Sequence, residues 1–149
     1  MSDNNNENET LLLVDDNPTN LQVLFQTLEG VECKLLIAKN GEMALSIAGK
    51  ARPDLILLDI MMPEMDGYEV LEHLKTDPDL RHIPIIMISA IDEVENTARC
   101  IEMGADDYLG KPVDLRELEA RIKAVLRRRA SATPATANGS DVKTIPFGE

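Results

Sequence analysis

The sequence predicts an α/β fold: a doubly wound, five-stranded parallel sheet in the order 2-1-3-4-5, flanked by five helices. Three observations predict it. The runs Leu11–Val14, Leu35–Ala38, Leu55–Leu58, Ile85–Ile88 and Tyr108–Leu109 are continuously apolar, as strands covered on both faces are. Segments with helical spacing of apolar residues separate them. Five such units in 149 residues suit an open sheet, whereas an eight-fold barrel needs about 250.

Residues 1–9 (MSDNNNENE) carry no apolar periodicity and are expected to be disordered. Residues 10–129 hold the strand–helix repeats. The first helix opens on Asn17-Pro18, a cap followed by proline in the first turn. Leu21, Leu24, Phe25 and Leu28 mark its inner face, and Gly30 stops it. The second helix is expected from about Gly41 to Lys50, with Pro53 barring continuation. The third spans roughly Glu64 to Thr76 and turns Val70, Leu71 and Leu74 inward. The fourth starts near Asp92, buries Val94, Ala98 and Ile101, and ends at Gly104. The fifth opens on a capping box of Asp114 and Glu117, with Leu115, Leu118, Ile122 and Val125 at three-four spacing. Past Arg129 the composition turns to small and polar residues, so residues 130–149 are expected to be a flexible linker or tail.

Composition narrows the function. A hydrophobic fraction of 44% with only 3% aromatics calls for an aliphatic core. A net charge of −12 argues against direct nucleic-acid binding. The run Arg127-Arg128-Arg129 is expected instead to complement the dipole at a helix C-terminus. No stretch approaches the roughly 18 apolar residues of a membrane span, and no signal-peptide pattern opens the chain, so a cytoplasmic protein with no membrane contact is expected. Cys33 and Cys100 have no metal-ligand or redox spacing and are expected to be buried apolar groups.

Parallel strands all finish on one side. Residues that follow the first, third, fourth and fifth runs therefore meet at one sheet edge: Asp15 and Asp16, Asp59, Ser89, and Lys111. In the order 2-1-3-4-5 the direction of winding reverses between strands 1 and 3, which opens a crevice there. Three clustered carboxylates repel one another unless a cation joins them, and an all-oxygen site suits Mg²⁺ or Mn²⁺. An Asp-Asp pair can also cap a helix, but Asn17 already does so. A cation alone leaves Ser89 and Lys111 without a role. A phosphoryl group needs a hydroxyl donor, an ammonium and a metal around its oxygens. A carboxylate at a strand tip can be its nucleophile, and Asp59 stands alone at the end of the central strand.

The segments LLLVDDNP, PDLILLDIMMPEMDGYEVL, IPIIMISA and GADDYLGKP, in this order and spacing, resemble the receiver domain of two-component response regulators, a flavodoxin-like fold. The resemblance covers residues 10 to 129. It implies that Asp59 accepts a phosphoryl group from a histidine kinase or histidine phosphotransfer protein. It implies Mg²⁺ held by Asp15, Asp16, Asp59 and the backbone carbonyl of Met61. Ser89 would hydrogen-bond the phosphoryl group, Lys111 would pair with it, and the Lys111-Pro112 bond would be cis. Ser89 and Tyr108 would form the switch, shifting the surface of helix 4, strand 5 and helix 5 toward a downstream protein, a fused output domain or a phosphorylation-dependent homodimer. Apolar Met61 and Ile91, where some relatives carry polar groups, imply slow self-dephosphorylation. The expectation is thus a phosphoacceptor regulatory domain rather than an enzyme, either acting alone or forming the N-terminal part of a longer chain.

Other classes fit less well. A haloacid dehalogenase-type phosphatase carries DxDxT after its first strand, and here Asp59 is followed by Ile60-Met61-Met62-Pro63. GxGxxG and GxxxxGK[ST] are both absent. A pseudo-receiver, an interaction module unregulated by phosphorylation, is the alternative reading, opposed by the intact set of five site residues. His73 and His82 lie away from the active edge and read as surface residues.

Overall fold

The computed structural model describes residues 9–28, 33–90, 94–111 and 113–135, with side chains described except at 94–95 and 129–135. The expected segment 1–9, apart from residue 9, lies outside them. So do Gly30, Ile91, Pro112 with its peptide bond, and residues 136–149. The elements alternate as β1 (Thr10–Val14), α1 (Pro18–Leu28), β2 (Lys34–Ala38), α2 (Gly41–Ala51), β3 (Leu55–Asp59), α3 (Gly67–Thr76), β4 (Ile85–Ser89), α4 (Val94–Glu102), β5 (Asp107–Gly110) and α5 (Leu115–Ala135). All the strand pairs are parallel, and the sheet order is β2-β1-β3-β4-β5, as the sequence predicts.

Strand alternation divides the core into two layers. Leu12, Val14, Ile56, Leu58, Ile85 and Met87 face α2, α3 and α4, meeting Ala44, Ala48, Val70, Leu71, Leu74 and Cys100. Leu11, Leu13, Leu55, Leu57, Ile86 and Ile88 face the other way, toward Leu21, Leu24 and Leu28 of α1 and Leu118, Ile122 and Val125 of α5. Central β3 is buried along its whole length. Each of its aliphatic side chains contributes roughly 1.5–3 kcal/mol through burial, so the strand that carries Asp59 is held firmly between the layers.

Helix caps follow the sequence in most places. Asn17 Oδ1 accepts from the N–H groups of Thr19 and Asn20 at 2.8 and 3.2 Å. Asp114 Oδ1 accepts from Arg116 and Glu117 at 2.9 and 3.1 Å, while the Glu117 carboxylate turns to Arg121 instead of completing a capping box. A full capping box occurs at Asp66 and Glu69, and it starts α3 at Gly67 rather than at Glu64, whose φ of 68° is outside the helical region.

Three expectations are corrected. In α4, Ala98 is exposed and Ile101 is 47% exposed, whereas Cys100 is fully buried. Asn96 and Met103 lie on the same inner stripe, partly buried. Among the described side chains the inner stripe thus lies two residues from the expected one, about 200° around the axis, while the Val94 side chain is outside the described ones. Polar Asn96 can face inward because Tyr68 supplies a hydrogen bond to it. Leu115 is the exposed member of the α5 stripe, at 45%. Finally, α5 runs to Ala135, so Arg127 and Arg128 lie within the helix and not in its last turn. Both cysteines are free thiols, Cys100 buried and Cys33 half-buried.

Two glycines give opposite predictions. A Cβ at Gly67 would run into the carbonyl oxygen of Asp59 and come within 2.6 Å of Ile60 Cα, so only glycine lets α3 close onto the tip of β3. A Cβ at Gly49, within α2, meets nothing within 4 Å. Urea unfolding should show Gly67→Ala losing about 1–3 kcal/mol and Gly49→Ala gaining about 0.5–1 kcal/mol. Equal effects of the two changes would contradict the packing described.

Candidate functional site

The C-terminal ends of four strands deliver the site. Asp59 is the last residue of β3 and pairs in register with Ile88, so Ser89 lies one step further along β4. Ser89 in turn pairs with Gly110, and the Lys111 N–H donates to the Ser89 carbonyl at 2.8 Å. Asp15 and Asp16 follow β1, and the Asp15 N–H donates to Ala38 O of β2 at 3.2 Å. The sheet register therefore brings five residues from four segments to one level, the crevice expected between β1 and β3.

Burial separates them. Asp15 is 2% exposed, Asp59 3% and Ser89 0%, while Asp16 faces solvent. The half-buried Lys111 ammonium bridges the two buried carboxylates, 3.2 Å from Asp15 Oδ2 and 3.0 Å from Asp59 Oδ1. Asp15 has further donors. Its Oδ1 accepts from the Asn17 N–H at 2.9 Å, and its Oδ2 accepts from Asn20 Nδ2 at 3.3 Å. Asp59 Oδ1 is different: Lys111 is close enough for an ion pair, yet among the described residues no donor is aligned to hydrogen-bond this buried oxygen.

That asymmetry governs the electrostatics. Burial, then the Asp15 carboxylate, pushes Asp59 up from 3.8 to about 6, and Lys111 offsets only part of this. Burial alone would lower Lys111, but the Asp59 and Asp15 carboxylates outweigh it and hold the ammonium above its ordinary value. One ammonium thus faces two buried carboxylates with an exposed third beside them. Asp15, Asp16 and Asp59 each offer an oxygen within 4.8 Å of the others. The misaligned buried oxygen of Asp59 and the all-oxygen donor set both fit a hard divalent cation.

A cleft of about 490 Å³ opens beside these groups, lined by Asp15, Asn20, Val23, Leu24, Lys111 and Leu115, among others. Val23 and Leu115 are nearly half exposed at its rim. Asn20 is a site contact that sequence reasoning missed. Its signal was available: residue 20, three after the Asn17 cap, lies one helical turn above it and so over the end of β1. Tyr108 is half-buried in β5, packed against the layer that contains α3 and α4. His73 and His82 are exposed and stand on α3 and before β4.

Residues 11–123 match the family model described as the response regulator receiver domain. Over 128 residues the chain is 43% identical to the probable transcriptional regulator ycf27 of Porphyra purpurea, covering 86% of this chain and 51% of that protein. It is 40% identical over 134 residues to the alkaline phosphatase synthesis transcriptional regulatory protein PhoP of Bacillus subtilis, covering 90% of this chain and 55% of that one. The chain thus spans about half the length of these curated relatives. Among solved structures, a putative response regulator from Chloroflexus aurantiacus superposes with a TM-score of 0.76 at 34% identity, covering 80% of this chain and 98% of that one.

The charge imbalance has a measurable consequence. Because the Asp59 carboxyl rises from 3.8 to about 6 on folding, the folded state binds its proton more tightly than the unfolded chain. Its contribution favours folding below the unfolded value and is lost as pH rises through about 6. At pH 7.5 without metal, Asp59→Asn should therefore stabilise the protein by about 1–3 kcal/mol in urea unfolding. The gain should shrink below pH 4, where both proteins are neutral at this position, and Mg²⁺ should narrow it by stabilising the unsubstituted protein alone. A destabilised Asp59→Asn at pH 7.5 would refute the imbalance.

Proposed function

The chain belongs to the response regulator receiver domain family, and on that premise we propose that it is a phosphoacceptor switch in which Asp59 takes a phosphoryl group. The observation that carries the proposal is the Asp59 carboxylate, buried at the tip of the central strand, 3.0 Å from Lys111 and grouped with Asp15 and Asp16. The donor is a phosphohistidine on a histidine kinase or phosphotransfer protein. An Asp59 oxygen attacks phosphorus, a P–O bond forms, and the P–N bond breaks with its electron pair going to the imidazole nitrogen. Lys111 meets the charge of the transferred oxygens, and the Ser89 hydroxyl donates to one of them.

Asp15, Asp16, Asp59 and the Met61 backbone carbonyl would hold Mg²⁺, with Mn²⁺ as a substitute. When bound, the ion supplies the positive charge that Lys111 alone does not, both for the carboxylates and for the incoming phosphoryl oxygens. Asn20 and the Asn17 N–H hold Asp15 in place for this role. The apolar rim residues Val23 and Leu115 give a protein donor a surface to cover.

Phosphorylation adds charge that Ser89 and Lys111 must meet, and Tyr108 responds behind Ser89. The α4–β5–α5 face then shifts its population and changes its affinity for a downstream protein, an output domain or a second copy of the chain. The receiver itself is a regulatory domain, and the proposal gives it no direct nucleic-acid contact and a cytoplasmic setting. No helix among the described residues is long and apolar enough to cross a membrane.

Intact mass after incubation with acetyl phosphate and Mg²⁺ tests this. One added phosphoryl group is expected, absent in Asp59→Asn and absent without Mg²⁺. With apolar residues at Met61 and Ile91, two positions after Asp59 and Ser89 in the sequence, the label should decay over minutes or longer rather than seconds. Labelling that survives in Asp59→Asn would overturn the assignment. No labelling from either acetyl phosphate or a phosphorylated histidine phosphotransfer protein would favour an unphosphorylated interaction module.

A further inference from the structure

Tyr68 has no part in the phosphoryl chemistry, yet it stands between the site and α4. Gly67 presses the first turn of α3 directly against Asp59 and Ile60, and the Gly67 N–H donates to Ile60 O at 2.8 Å. Tyr68 therefore has a backbone fixed to the strand tip that carries Asp59. Its ring is 9% exposed and sits within the core layer shared by α3 and α4. Its hydroxyl donates to Asn96 Oδ1 at 2.9 Å, and the Arg99 guanidinium lies over the ring, 3.8 Å from its centre. The buried Cys100 thiol also adjoins the hydroxyl. Three side chains on consecutive turns of α4 thus converge on one residue of α3.

Elsewhere along α4 the described apolar side chains add little burial. Ala98 and Ile101 face solvent, and Cys100 is the only fully buried apolar side chain described on the helix. Where apolar burial is sparse, local opening costs little and a polar contact such as that of Tyr68 weighs more in fixing a helix. Tyr108 of β5 is close enough to Tyr68 to act on its hydroxyl electrostatically. The same aromatic pocket thereby adjoins α3, α4 and β5.

We propose that Tyr68 is a positioning residue that latches α4 to the aspartate loop and so restrains the α4–β5–α5 face in the unphosphorylated protein. The latch consists of the hydroxyl bond to Asn96 and the Arg99 stack. It rests on the phosphoacceptor reading in one respect only: opening the latch is part of reaching the phosphorylated state. Phenylalanine at position 68 keeps the ring, its packing and the Arg99 stack, and removes the hydroxyl with its bond to Asn96 and its contact with Cys100, whereas Asn96→Ala removes the Asn96 bond alone.

The test uses the full chain, with Tyr68→Phe, Asn96→Ala and the double variant. Without phosphodonor, amide hydrogen exchange over residues 94–102 should rise about five-fold in each single variant, the worth of one neutral hydrogen bond. The double variant should add little more, because both changes remove the same bond. Exchange in β1 and β3 should stay unchanged. With acetyl phosphate and Mg²⁺, Tyr68→Phe should take up phosphoryl groups up to about five-fold faster. Unaltered exchange over 94–102 in both single variants overturns the latch, whatever happens to phosphorylation. Faster exchange with uptake equal to that of the unsubstituted protein overturns the positioning role and leaves Tyr68 a packing residue. If the unsubstituted protein takes up no label from acetyl phosphate or from a phosphorylated histidine phosphotransfer protein, the phosphoacceptor reading and the coupling both fall, while the exchange arm still decides whether the bond holds α4.

Discussion

Two buried carboxylates sharing one ammonium is the constraint on which this molecule turns. Asp15 and Asp59 both lie within the sheet edge, nearly inaccessible to water, and Lys111 is the cation that bridges them. Isolated burial of either charge would be costly, and burial of both beside each other more so. The arrangement persists because the surrounding strands are continuously apolar and hold it there. Stability of the two aliphatic layers offsets the strain at the rim, and the site remains short of positive charge.

The proposed chemistry would draw on that shortage. Asp15 is quieted by the Asn17 N–H and the Asn20 amide, so the unmet demand concentrates on Asp59. In the proposed switch a divalent cation would answer it, and a phosphoryl group bound to the same carboxylate would change the balance again. Either would alter the charge that Lys111 and Ser89 face. Ser89 and Lys111 are joined through the backbone bond between β4 and β5, so the site is tied to strands that border α4 and α5. Tyr68 adds a second connection, from the first turn of α3 to α4.

Much of this was legible in the residues. Continuous apolar runs identified the strands, and parallel strands have only one end at which following residues can meet, so the five-residue cluster followed from topology. Caps built from a residue and its neighbours two or three along, such as Asn17 and Asp114, were equally readable. What escaped depended on contacts between distant segments. Among the described side chains, α4 turns Asn96 and Cys100 inward, toward the Tyr68 hydroxyl and the core, so hydrophobic spacing points to Ala98 and Ile101, which are exposed. The start of α3 moved to Gly67 because a capping box and the close approach to Asp59 fix it there. The continuation of α5 to Ala135 went unread because alanine, serine and threonine resemble a linker in composition while remaining compatible with a helix.

The central claim is that Asp59 carries the unmet negative charge of the site. A carbon-13 carboxyl titration of Asp59 by NMR, with and without Mg²⁺, tests it most directly. A midpoint near 6 in metal-free solution, falling toward or below 3.8 when Mg²⁺ is added, is the predicted result. A midpoint near 3.8 that ignores Mg²⁺ would mean that the carboxylate is already compensated, and the account of the site would be wrong.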